Sequence, residues 1–213
     1  MHHSSIRRAL AVLGILTVLL GAAACGADDD RQDVTRNSAE PNEADVAFAS
    51  DMIQHHAQAL SMVDLTRGRE LNPAFGELVE AIQAAQAPEI ETMTTWLNEW
   101  GEEVPATMRD HVNSGHGSAP GACMEGMEGM DHGDMADMPG MMTAEQMQEL
   151  ADAPAGAFED LWLTMMIEHH EGAVEMARTE LDEGSYGPAR ELAQTIIDTQ
   201  ESEIEQMREL LDS

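Results

Sequence analysis

A five-residue segment containing paired histidines occurs twice in this chain, and that duplication limits the fold more than any other feature. Met52-Ile53-Gln54-His55-His56 returns 114 residues later as Met166-Ile167-Glu168-His169-His170. The same offset maps Phe48 to Trp162, Ala59 to Ala173, Met62 to Met176, Leu78 to Leu192 and Ile82 to Ile196. It also maps Gln86 to Gln200, Glu89-Ile90 to Glu203-Ile204 and Met93 to Met207, with no gap across residues 48–93. A repeat of this kind is one supersecondary unit copied, and a unit that cannot bury its apolar face alone must pack against its copy.

Each copy reads as a helical hairpin. Over 44–70, Phe48, Ala49, Met52, Ile53, Ala59, Leu60, Met62 and Val63 follow the helical period. Asn72-Pro73 stops that helix and starts the next, which runs from about 74 to Trp100 and ends at Gly101. Pro88 removes the bond to the Ala84 carbonyl and is expected to bend the second helix; its repeat partner is Ser202, which imposes no such bend. The second copy predicts helices over 155–183 and 188–212, parted by Gly184-Ser185-Tyr186-Gly187. A short helix is expected at 144–151, where Thr143 and Gln146 can form a capping box. The chain is therefore expected to be all-α: an antiparallel four-helix bundle of ferritin-like type, built from two hairpins joined by a long Met-rich crossover. The divisions are 1–24, 25–43, 44–101, 102–154 and 155–213.

The first division reads as a secretory signal: Arg7-Arg8, then an apolar run from Ala9 to Ala24 that is short for a membrane span. Ala22-Ala23-Ala24-Cys25 is similar to a bacterial lipobox, which implies cleavage before Cys25 and lipidation of its thiol. Residues 26–43 read as a polar tether, placing the mature protein on the extracytoplasmic face of the cell membrane. Loss of 1–24 removes two Arg and no carboxylate, leaving 8 Arg against 41 Asp and Glu, a formal charge of −33. Such a surface repels nucleic acid and anionic lipid heads and attracts cations. With Cys25 committed to an anchor, Cys123 is the other cysteine, so no disulfide framework forms within one chain.

On a helical wheel both histidines of each pair fall in the apolar arc, with Met52 and Met62, or Met166 and Met176, on the same stripe. In the partner helices Gln86, Glu89 and Met93, and Gln200, Glu203 and Met207, share a face. Burying imidazole and carboxylate without partners costs several kcal/mol, so a duplicated polar stripe in a core needs a reason. A metal is one; a His–Glu or His–Gln hydrogen-bond network is another. Thioether with imidazole suits copper, above all Cu(I), and by extension Ag(I). Di-iron bundles use Glu-x-x-His; here Met52-x-x-His55 and Met166-x-x-His169 stand instead, favouring a softer ion.

The crossover carries seven Met between Met124 and Met142. Met124, Met127, Met130, Met135 and Met138, with His132, form an open array among glycines too numerous for packing, and are expected to capture Cu(I) separately from the bundle. His111, His116 and Cys123 accompany it.

Met-x-x-His-His-x-x-Ala-x-x-Met, followed by Gln-x-x-Glu-Ile-x-x-Met, and Trp96-Leu97 and Trp100-Gly101 in the first copy, resembles a bacterial secreted family: the domain-of-unknown-function family three hundred and five. The resemblance covers about 44–101 and 156–213. It implies a ferritin-like bundle outside the cytoplasm, with copper- and silver-associated relatives and no general activity. It carries the family's His-His and Met positions onto His55, His56, Met62, Met93, His169, His170, Met176 and Met207. The second copy departs from the pattern, having Leu210 and Leu211 in place of the Trp pair.

Three function classes follow. The leading one is a lipid-anchored copper buffer or carrier, with no nucleic-acid partner. A metallo-oxidase using His with Glu89 and Glu203 is the second, and a metal-free cell-envelope interaction module the third. Neither a nucleophile–base set nor a phosphate loop is present.

Overall fold

The computed structural model describes residues 40–107, Arg109 and 138–213. Five helices of nine residues or more lie among the described residues: α1 (Glu43–Asp64), α2 (Pro73–Trp100), α3 (Ala144–Asp152), α4 (Ala155–Glu183) and α5 (Gly187–Leu211). The expected all-α bundle is what forms. The hairpins α1–α2 and α4–α5 pack together, α1 against α4 and α2 against α5. None of the described helices is long and apolar enough to cross a membrane.

Local chemistry sets the helix ends. Asn42 caps α1, accepting from the backbone N–H groups of Ala44 and Asp45, while Asp45 accepts from that of Asn42 at 2.6 Å. The helix stops at Asp64, six residues short of the expected end. There the Thr66 hydroxyl takes the Val63 carbonyl, and Arg69 takes those of Leu65, Ala151 and Ala153, so the last turn is capped by side chains and tied to the end of α3. Pro73 opens α2 beneath an Asn72 cap, and the helix continues as one element through Pro88. Thr143 and Gln146 form the expected capping box of α3.

Two apolar half-cores fill the bundle. One holds Met62, Phe75, Ile82, Phe158, Trp162, Met166 and Met207, with Met142, Met147 and Leu150 from the crossover's end. The other holds Phe48, Met52, Met93, Leu97, Ala173, Ala177 and Ile196. In the first, Trp162 meets Phe75 edge-on at 5.0 Å and donates its indole N–H to the Met62 carbonyl, which satisfies its one polar atom. At the opposite end Trp96 and Trp100 stack, and Tyr186 from the α4–α5 loop meets both edge-on. The second copy has no such cluster; Leu210 is half-buried and Leu211 exposed.

The α4–α5 loop is held by a buried carboxylate. Asp45 accepts from the backbone N–H groups of Ser185 and Tyr186 and from the Ser185 hydroxyl. Those bonds hold Asp45 below its ordinary 3.8 despite burial. Glu180, 1% exposed, lies against it; burial, then the contact with Asp45, push its carboxyl up to about 9. Of the two carboxyls, Glu180 is the one that keeps its proton at neutral pH.

Folded protein thus binds an extra proton between pH 4.5 and about 9, so Glu180 makes stability fall as pH rises through that window. Asp45 acts oppositely in acid, its contribution lost as pH drops below 3.8. Glu180→Gln keeps a donor toward Asp45 and removes the extra proton. We expect the Tm of the variant minus that of the parent to climb with pH from 4.5 to about 9, followed by circular dichroism. A difference independent of pH would show that Glu180 does not keep the extra proton.

Candidate metal centre

Between the two half-cores lies a polar belt drawn from all four long helices. α1 contributes His55 and His56, α2 Gln86 and Glu89, α4 His169 and His170, α5 Gln200 and Glu203. The antiparallel crossing of α1 and α4 brings the middle of each helix onto the other. All four imidazoles are at most 1% exposed.

The two members of each pair have different partners. His56 donates from Nε2 to Glu89 at 2.7 Å, and His170 from Nε2 to Glu203 at 2.8 Å. His55 and His169 instead face each other, ring centroids 3.8 Å apart and planes tilted by 43°. His55 donates from Nε2 to the backbone carbonyl of Pro139 at 3.0 Å. A carbonyl can only accept, so His55 carries its proton on Nε2; the carboxylate acceptors of Glu89 and Glu203 favour the same tautomer in His56 and His170. Adjacent residues of a helix project about 100° apart. The structure shows where: one of each pair to a glutamate, the other to its twin.

Five buried ring nitrogens then lack a hydrogen-bond partner: Nδ1 of His55, His56, His169 and His170, and Nε2 of His169. Both amide atoms of Gln86 and Oε1 of Gln200 are in the same condition. Burial, then the neighbouring His56, hold His55 down at about 3, with the Pro139 contact offsetting a part. Burial and the facing His55 hold His169 well below the ordinary imidazole range. Burial also lowers His170, against the opposing pull of Glu203. The rings of His55, His169 and His170 are therefore neutral, with lone pairs available, which is the state that binds metal.

The methionines of the bundle divide about this belt. Met62, Met166 and Met207 lie in one half-core; Met52 and Met93 are in the other, with half-buried Met176 at its edge. The repeat maps each set onto the other. The sequence placed all six in one interior and could not separate them. Among the described residues, no three His, Cys, Asp or Glu side chains are gathered so as to hold a metal ion. The methionines stand in the half-cores on either side of the imidazole belt, and imidazole with thioether is the donor set of a soft monovalent ion.

Of the crossover candidates, Met124, Met127, Met130, His132 and Met135 lie outside the described residues, as does Cys25. Met138 is described and half-buried. It begins a strap, residues 138–142, that the sequence did not reveal as part of the bundle. Gln58 holds its end, donating to the Met142 carbonyl at 2.8 Å and accepting from the Met142 N–H at 2.7 Å. Residues 138–142 of the crossover are thus built onto the histidine belt.

A helical bundle crossed by a histidine belt is the class this architecture defines. The chain belongs to the family described as Domain of unknown function (DUF305), which matches residues 45–211. It is similar to a DUF305 protein of Streptomyces coelicolor, with 29% identity, TM-score 0.62, and 79% of this chain and 91% of that one covered. A DUF305 fragment from Deinococcus radiodurans shows 28% identity and TM-score 0.62, covering 80% and 97%. CopM in its Cu(II)-bound form shows 25% identity and TM-score 0.58, covering 79% and 95%; its Cu(I)-bound form shows 25% and 0.56. No curated protein matches the chain.

The belt's hydrogen bonds can be weighed without metal. Glu203→Ala leaves His170 Nε2 without a partner in a dry core, a loss of about 1–3 kcal/mol. The exposed Arg178–Glu201 pair is worth about 0–1 kcal/mol. Urea unfolding of Glu203→Ala and Glu201→Ala, both metal-free, should show that ordering; equal effects would mean that the belt bond carries no weight.

Proposed function

We propose that this protein binds copper outside the cytoplasm, as Cu(I), and serves as a buffer or carrier of the ion. The observation that carries this reading is the facing His55–His169 pair, in which Nδ1 of His55 and both nitrogens of His169 are buried without hydrogen-bond partners. Leaving such atoms unpaired costs free energy, and a ligated ion would recover it. The methionines in the half-cores on either side of the belt favour a soft ion. The copper-bound forms of CopM support the same reading. His55 and His169 are the proposed ligands, His56 with Glu89 and His170 with Glu203 orient the shell, and Met52, Met62, Met93, Met166, Met176 and Met207 supply thioethers. The oxidase reading draws no support from the geometry, because Glu89 and Glu203 are each engaged by a histidine.

An ion stabilises a fold only through its preference for the folded state, by about 2.7 kcal/mol at a hundredfold excess over Kd. Thermal unfolding with and without Cu(I) should therefore show a rise in Tm for the parent. His55→Ala with His169→Ala should abolish most of it, and His56→Ala with His170→Ala should reduce it less. If both double variants fold and keep the full shift, the bundle is not the site.

Anchoring through Cys25 belongs to the same proposal, and the array from Met124 to Met138, with His132, would feed the bundle from the tethered protein. Cys25→Ser should move the protein from the membrane to the soluble extracytoplasmic fraction. If it sediments with membranes as the parent does, the anchor lies elsewhere.

A further inference from the structure

The repeat is broken where the strap crosses it. Position 58 is equivalent to position 172, yet one is Gln and the other Gly. Both residues hold the strap. Gln58 clamps the Met142 backbone with two buried hydrogen bonds. Gly172 leaves the space through which the strap passes: a Cβ there would strike the Pro139 carbonyl. From the other side, a Cβ on Gly140 would stand 2.5 Å from the Glu168 carbonyl, and Gly140 holds a left-handed φ of 74°. The fit is backbone against backbone and cannot be relieved by moving a side chain.

The strap delivers one polar atom to the belt, the Pro139 carbonyl on His55 Nε2. Glu89 and Glu203 do the same for His56 and His170. His169, the repeat partner of His55, has no carboxylate and no strap carbonyl at either nitrogen; the polar group beside it is the His55 backbone, too poorly aligned for a hydrogen bond. The pseudo-symmetric imidazole pair is thus made unequal by a segment outside both hairpins.

Resting on the reading of His55 and His169 as the copper pair, we propose that Pro139, held by Gln58 and Gly172, is a positioning residue of that site. Its carbonyl fixes His55 in the Nε2–H tautomer and presents Nδ1 as the donor atom. A metal-bound histidine depends on what its other nitrogen bonds, and loss of such a partner typically lowers metal affinity about 10–100-fold. The proposal concerns the last residues of the Met-rich crossover, so the segment rich in thioethers ends on the imidazole that would receive the ion.

Nitrogen-15 NMR of the imidazoles in metal-free, full-length protein tests the tautomer directly. His55 should show a single Nε2–H form. Gly172→Ala favours the helix but expels the carbonyl, and should give mixed tautomers at His55. Gln58→Ala, which adds no bulk, should act in the same direction should Gly172→Ala fail to fold. In anaerobic chelator competition, the tight Cu(I) component of either folded variant should weaken about 10–100-fold. A parent His55 in the Nδ1–H form, or folded variants with the parent's tautomer and affinity, would overturn the proposal. His55→Ala with His169→Ala is the control that separates the two readings. If it binds as tightly as the parent, the copper pair itself is wrong; if it binds weakly while the strap variants match the parent, only the strap proposal falls.

Discussion

Four imidazoles sealed in the middle of a helical bundle are the constraint on which the rest of this structure depends. Each brings two ring nitrogens into a region where an unpaired polar group costs on the order of 1–3 kcal/mol. Glu89, Glu203 and the Pro139 carbonyl answer three of those nitrogens. The five left over remain a standing cost, tolerated because two apolar half-cores, one on either side, hold the helices together. The aromatic contacts lie away from the belt, with Trp162 on Phe75 at one end and Tyr186 on Trp96 and Trp100 at the other. Packing strength is thus kept apart from the polar centre, an arrangement in which the centre can change partners without unfolding the ends.

The repeat and the helical period made the four long helices and the buried histidines legible, because both depend on local spacing. Thr143 and Gln146 announced α3 for the same reason: a capping box is contained within four residues. What could not be read depends on contacts across the chain. α1 stops at Asp64 partly because Arg69 reaches carbonyls on the far side of the crossover, 82 and 84 residues away. The strap is invisible for the same reason, since Gln58 and Met142 have no periodic relation. One trace of it does stand in the sequence. Gln58 and Gly172 are one of several mismatches between 52–62 and 166–176, and the one at which both members touch the strap.

The methionines show how far a wheel reaches. It put Met52, Met62, Met93 and their partners on interior faces, and five of the six are fully buried. It could not say that antiparallel crossing would sort them into Met62, Met166 and Met207 on one side and Met52, Met93 and Met176 on the other. Each set mixes residues from both hairpins, so neither hairpin owns a complete set. The thioether surroundings of the belt exist only once the two copies have docked, which links any soft-metal affinity of the bundle to its tertiary structure.

Two identical hairpins associating about a two-fold axis would build the same belt and the same methionine sets. Such a dimer is bound by its symmetry: whatever stands at one position stands at its mate, and a site on the axis must treat both halves alike. It could not hold glutamine on one side and glycine on the other. Joining the copies in one polypeptide lifts that restriction. Each half can then drift on its own, and a connector that began as a simple link can lie across the former axis. The left–right inequality of His55 and His169 is thus a freedom that fusion made available, and the mismatch of Gln58 with Gly172 is where the chain uses it.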